Sequence, residues 1–254
     1  LFAGLEVLLD HSDPDPLKNQ NVLSIVSPDL STEDKALLES ATSKMFAARS
    51  KRVRPHLDDK VLTSWNGLML GAVARLYAVT GDSRVGQIAE RNLSFIKEQM
   101  WDESTSTLHH RWREGERDDV QLLVAYAYLL DGTLELYQAT LNADHLEFAV
   151  RLADSMIARF YDTEKGGFWQ CVTDGTQIVR VKDDYDGAEP SGNSVAILAL
   201  FKLATITDRA EYRSAAEKTL QLFADRIQSI PQAVPHMLLA LEHQFAAARH
   251  VVIT

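Results

Sequence analysis

The sequence predicts an all-α chain built from repeated helical hairpins, with short β-hairpins along one rim. Two observations carry this. Three segments, starting near Asn66, Val120 and Asn193, are apolar on nearly every face, and each is followed by a tight polar turn and then a one-sided amphipathic helix. A helix that is apolar all round must be buried all round, whereas one with a single apolar stripe lies at the surface. The order therefore reads inner, outer, three times over. The second observation is internal repetition. Leu76-Tyr77 recurs as Leu136-Tyr137, Trp101-Asp102 as Tyr161-Asp162, and the Leu76/Thr80 pair as Leu203/Thr207. Repetition on this scale is the mark of a stacked helical hairpin.

Taken in order, a first helix is expected from Ser31, with Ser31-x-x-Asp34 as its cap signature, to about Ser50. Helical hairpins follow at about 64–100, 118–161 and 191–227, and a final helix at about 232–249. The inner-to-outer turns are short. The outer-to-inner connections are long, from Trp101 to Arg117 and from Asp162 to Pro190, and the second reads as a hairpin of two β-like runs around an Asp-Gly turn. Loops elaborated on one side of a rigid array usually carry the function.

Composition narrows the function. The chain has 254 residues, 46% hydrophobic, 24% charged, with a formal net charge of −10. An acidic chain without a Lys/Arg stripe repels phosphate backbones, which argues against nucleic acid as a partner. No apolar run is long enough for a transmembrane helix, and no signal peptide is visible. The only cysteine is Cys171. It has no second thiol to exchange with and is expected to be packed and inert. A reducing, cytoplasmic setting fits. No metal-binding spacing and no phosphate loop are seen, so neither metal nor cofactor is expected. Both ends look cut, so the chain reads as a fragment.

The repeat also aligns polar groups. Asp59, Ser64 and Asn66 correspond to Asp186, Ser191 and Asn193, so two inner helices begin with Asp-x4-Ser-x-Asn, while the middle one has Asp119, Val124 and Tyr126. Such a rim suits a polyhydroxylated, sugar-like ligand: carboxylates and amides bond hydroxyls, and aromatic faces stack on sugar rings. Asp59 and Asp186 are the acid/base candidates. Asp58, Lys60, Trp65, Asn66, Tyr126, Glu189 and Asn193 are the substrate-binding candidates, with Trp112 and Trp169 as further stackers. The same residue types before a helix are ordinary caps, and Lys60 also reads as a partner for Asp58 or Asp59.

The stretches "RPHLDDKVLTSWNGLML", "RVKDDYDGAEPSGNSVA" and "PQAVPHMLLAL" resemble the spermatogenesis-associated, thioredoxin-domain-containing proteins, whose bacterial and archaeal relatives are described as a domain of unknown function. The resemblance runs from about Lys18 onward. It implies a thioredoxin-like domain followed by an (α/α)6 toroid of the six-hairpin glycosidase type, similar also to sugar epimerases. This chain is then a single domain, 1–254, forming the C-terminal part of a partial toroid, with the thioredoxin-like domain absent and a possible partner in the full-length protein. It further implies a role in carbohydrate metabolism, as a carbohydrate-binding or carbohydrate-processing domain acting through carboxylates, or else as a non-catalytic scaffold or protein-interaction module supporting the thioredoxin-like domain. One departure matters. Where the family places two acids just before the Tyr-Ala of the middle inner helix, this chain has Val124 and Ala125.

Overall fold

The computed structural model describes residues 2–5, 22–25, 29–173, 175 and 179–246. Its contacts group into two compact units, Leu1–Asp58 and Asp59–Thr254. In the first, β1 (Phe2–Leu5) pairs antiparallel with β2 (Val22–Ile25), and α1 spans Thr32–Arg49. Ser31 caps α1 as its sequence signature predicts, accepting the Asp34 N–H at 3.1 Å.

The second unit is the helical array. β3 (Val61–Leu62) leads into α2 (Thr63–Thr80) and α3 (Ser83–Gln99). The connection that follows holds β4 (Trp101–Asp102), β5 (Thr107–Leu108), β6 (Arg111–Arg113) and β7 (Glu116–Arg117). Then come α4 (Leu123–Thr140), α5 (Ala143–Phe160), α6 (Gly192–Thr207), α7 (Ala210–Leu222), α8 (Ala224–Ser229) and α9 (Pro235–Phe245). β4 pairs with β5, and β6 pairs with both β3 and β7, all antiparallel.

The repeat read from sequence has a physical cause at the short turns. Thr80, Thr140 and Thr207 each donate a side-chain hydrogen bond to the carbonyl four residues back, on Leu76, Leu136 and Leu203. The next residue is left-handed each time: Gly81 (φ 64°), Leu141 (φ 55°) and Asp208 (φ 57°). Each closes its helix with a bond from its N–H to a carbonyl of the last turn. Only the first of the three positions has the residue that adopts this φ without strain.

α4 and α6 are buried on nearly all sides, as their all-round apolar pattern requires, with Tyr126, Leu129, Leu134, Ile197, Leu200 and Leu203 fully inaccessible. α2 corrects the expectation of three sealed inner helices. One face is pressed so tightly on α4 that a Cβ at Gly132 would collide with the Gly67 carbonyl oxygen, and one at Gly67 would lie 2.6 Å from the Leu129 nitrogen. The other face displays Leu68, Met69, Leu76 and Val79 to solvent. An all-round apolar pattern states a demand for neighbours. Among the described residues of this unit, α2 has them on only part of its circumference.

Three further differences are local. The outer helix of the last hairpin is interrupted at Phe223, which separates α7 from α8. The final helix begins at Pro235, because residues 231–233 form a 3-10 turn and proline suits a first helical turn. Its expected end beyond residue 246 lies outside the described residues, as does the Asp-Gly turn at Asp174 of the second rim loop. The described flanks of that loop are held by a Gln170 N–H to Val181 carbonyl bond and by a bridge from Cys171 to Leu122. Cys171 is half-buried rather than sealed. No described helix is long and apolar enough to cross a membrane.

Candidate functional site

The long connections meet at the starts of α2, α4 and α6. Trp65, in the first turn of α2, donates its indole N–H to Glu189 Oε1 at 2.8 Å. Glu189 lies two residues before Ser191, the cap of α6. This bond ties the beginnings of two inner helices that both pack on α4. Below it, the buried Tyr128 hydroxyl of α4 donates to the Pro190 carbonyl. Burial raises the Tyr128 phenol well above its usual pKa, and the Glu189, Asp186 and Asp183 carboxylates push it in the same direction. These three acids therefore gather around one point of the rim.

The two acid candidates have different surroundings. Asp59 is half-exposed and pairs with Arg113 of β6 at 2.8 Å. Asp186 is turned inward. Its Oδ1 accepts the Ser191 N–H at 2.8 Å and its Oδ2 accepts the His236 N–H at 2.8 Å, with the Met237 N–H at 3.4 Å. His236 and Met237 belong to the first turn of α9, so Asp186 caps the last helix rather than the one it precedes. Its own N–H donates to the Ala233 carbonyl at 2.9 Å, which fixes the crossing of the two segments.

The amides are likewise engaged. Asn193 is fully buried. It accepts the Phe168 N–H at 2.7 Å and donates to the Phe168 and Asp183 carbonyls at 3.0 and 2.9 Å. Asn66 donates to the Leu62 carbonyl at 2.8 Å and accepts from Asn92 of α3 at 2.8 Å. Both side chains fasten backbone, which leaves no donor of Asn193 for a ligand. Tyr126 is also inaccessible: its hydroxyl accepts the Leu108 N–H at 2.7 Å and its ring packs edge-on against Phe160. Trp112 packs on Phe95, and Trp169 lies beneath Arg180 and Lys182, 4.5 and 4.4 Å from its ring centre. Asp58 and Lys60 are exposed on the stretch entering β3. The rim thus unites Trp65, Glu189 and Asp186, and directs Asn193 and Tyr126 into the core.

The positions that carry acids in the resembled family are apolar here in structure as well as in sequence. Ala125 is inaccessible, and a Cβ on Gly192 would sit 3.3 Å from Val124 Cγ1 and 2.9 Å from the Leu123 side chain. The start of α4 is packed hydrocarbon against the start of α6. Among the described residues no cluster of His, Cys, Asp and Glu could hold a metal ion.

Sequence reasoning missed Tyr128 and the partner of Asp186. Tyr128 reads as one more apolar residue of an inner helix, and the Asp186–α9 contact joins positions 50 residues apart.

Comparison with known proteins places this geometry in a family. The profile of glycosyl hydrolase family 76 matches residues 35–230. Human spermatogenesis-associated protein 20 is 34% identical over 86% of this chain, which spans 29% of that protein's length. Among solved structures, a family 76 α-mannanase of Bacteroides thetaiotaomicron superposes with a TM-score of 0.58 at 15% identity, covering 83% of this chain and 63% of that one. An inactive α-1,6-mannanase variant of a Salegentibacter species, with two aspartates replaced by alanine and in complex with α-1,6-mannotetrose, superposes at 0.52 with 16% identity, covering 76% and 55%. Fold and profile agree with the alternation of inner and outer helices: the architecture is that of the (α/α) toroids, and the chain belongs to glycosyl hydrolase family 76.

Proposed function

We propose that this chain is a carbohydrate-recognising domain that holds a sugar at the rim without hydrolysing it. In this reading it forms the C-terminal part of a toroid in a longer, cytoplasmic protein that carries a thioredoxin-like domain. The observation that carries the reading is Trp65. The residue is 57% exposed, yet its indole N–H is pinned by Glu189 across the helix starts. Leaving a large aromatic surface in water and fixing its orientation is costly unless something stacks on it.

Chemistry argues for binding rather than cleavage. Glycoside hydrolysis needs two carboxyl groups flanking the scissile bond. The resemblance would put acids at Val124 and Ala125, which are hydrocarbon. Asp186 is occupied by three backbone N–H groups, and Asp59 is neutralised by Arg113. The Salegentibacter variant lacks two aspartates and is inactive, yet it is found with its tetrasaccharide. A fold of this kind can grip a sugar that it does not cut.

A second reading, a scaffold for the thioredoxin-like domain, is favoured by the engagement of Asp186, Asn193 and Asn66 in backbone bonds. Calorimetry of the folded protein with α-1,6-mannotetrose separates the readings. Saturable binding that Trp65→Ala abolishes, with no release of reducing sugar, is the expected result. Release of reducing sugar overturns the non-hydrolytic reading, and absence of binding to the folded protein favours the scaffold.

A further inference from the structure

The rim loop that holds Trp65 displays a second ring. Tyr185 is 57% exposed, as Trp65 is. One edge of its ring lies against Gly187, where a Cβ would come within 2.9 Å of Tyr185 Cε1. Its N–H is held by Asp183 Oδ1 at 3.2 Å. A short chain of contacts joins the two rings: Tyr185 abuts Gly187, the Gly187 N–H donates to the Glu189 carbonyl at 3.1 Å, and the Glu189 carboxylate accepts from Trp65.

The base under the rings is rigid. Asp186 is bonded to Ala233, Ser191 and the first turn of α9, Tyr128 is bonded to Pro190, and Asp184 pairs with Arg226 of α8 at 3.4 Å. Exposed aromatic rings on a fixed base lose little entropy when a ligand stacks on them. The other rings described above (Tyr126, Trp112 and Trp169) are packed against other side chains, whereas Trp65 and Tyr185 are each more than half exposed.

We propose that Tyr185 is a second stacking platform beside Trp65, so that the rim takes a neutral oligosaccharide of at least two sugar units rather than a monosaccharide. This rests on the rim being a sugar site. Neutrality follows from the surroundings. Asp183, Asp186 and Glu189 converge near Tyr128, and among the described residues the groups bonded to these carboxylates are backbone N–H groups and an indole rather than cations. Uronates and sugar phosphates meet like charge there.

Calorimetry with mannose, α-1,6-mannotetrose and trigalacturonate, on the wild type and on Trp65→Ala, Tyr185→Ala and Tyr185→Phe, tests the proposal. Stacking of this kind is worth up to roughly tenfold in affinity. Tyr185→Ala is expected to weaken the tetrasaccharide about fivefold and to leave mannose unchanged. Tyr185→Phe keeps the ring and should match the wild type, and trigalacturonate should not bind. If Trp65→Ala abolishes binding while Tyr185→Ala has no effect, or if trigalacturonate binds as well as the neutral sugar, this inference is overturned and the single-ring reading survives. If neither neutral sugar binds the folded wild type, the sugar-site reading itself falls, and this inference with it.

Discussion

The starts of α2 and α6 carry the same pattern, Asp-x4-Ser-x-Asn, and use it differently. At α6, Ser191 caps its own helix through the Ser194 N–H, Asn193 clamps Phe168, and Asp186 reaches forward to cap α9. At α2 the residue preceding the helix is Leu62, with no side-chain cap. Ser64 is buried inside the first turn, Asn66 bonds sideways to α3, and Asp59 pairs with an arginine at the surface. Equivalent positions in a repeat inherit a place, and the partner at that place depends on which element arrives next. α6 is crossed by the segment leading to α9, whereas α2 is crossed by the β6–β7 hairpin.

The comparison can be broken by substitution. The largest effect is expected at the amides. Asn193→Ala leaves a buried N–H and two carbonyls without partners and should destabilise by about 3 kcal/mol, against about 1 kcal/mol for the half-buried Asn66→Ala. Equal losses in denaturant unfolding would mean that the two amides are equivalent after all. Next come the acids. Asp186→Ala removes a helix cap and should cost about 1–2 kcal/mol, with Asp186→Asn recovering much of it. Asp59→Ala, which breaks an exposed ion pair, should stay within about 0.5 kcal/mol. A cost at Asp59 as large as at Asp186 would show that the Arg113 pair is structural.

The smallest effect concerns pH. Burial lowers the pKa of His236, which sits at the start of α9 with the Asp131 and Asp186 carboxylates favouring its charged form and Lys202 and Arg75 opposing it. Burial also lowers His243, which Lys202 and Arg213 push the same way, and His110 on the α2 side, where Arg111 and Lys60 act with burial and Asp118 against it. Each folded value lies below the unfolded one, so the unfolded chain binds more protons and stability rises with pH. The contribution is complete above about 6.5 and is lost as pH falls through and below that value. Melting temperatures measured from neutral to mildly acidic pH should decline, and His236→Gln should flatten the decline. A His236→Gln curve identical to the wild type would remove His236 from this account.

Much of the fold could be read because helical hairpins are written locally. The Thr80, Thr140 and Thr207 bonds join residues four apart, and an all-round or one-sided apolar pattern is a property of a single helix. The candidate site was legible only where its partners were near in sequence or where a chemical type was unusual. Trp65 and Glu189 stood out as residues, yet their contact spans 124 positions and no periodicity announces it.

By itself the sequence determined the alternation of inner and outer helices, the short turns and the rim on which the long loops fall, because these follow from propensity, patterning and repeat spacing within one hairpin. The tertiary structure alone decided which side chains remain available on that rim. It gave Asp186 to α9, Asn193 to Phe168 and Tyr126 to Leu108, and it left Trp65 and Tyr185 in water. The physical reason is that a polar group is satisfied by whatever donor or acceptor lies within about 3 Å, and for these residues that partner comes from a different part of the chain.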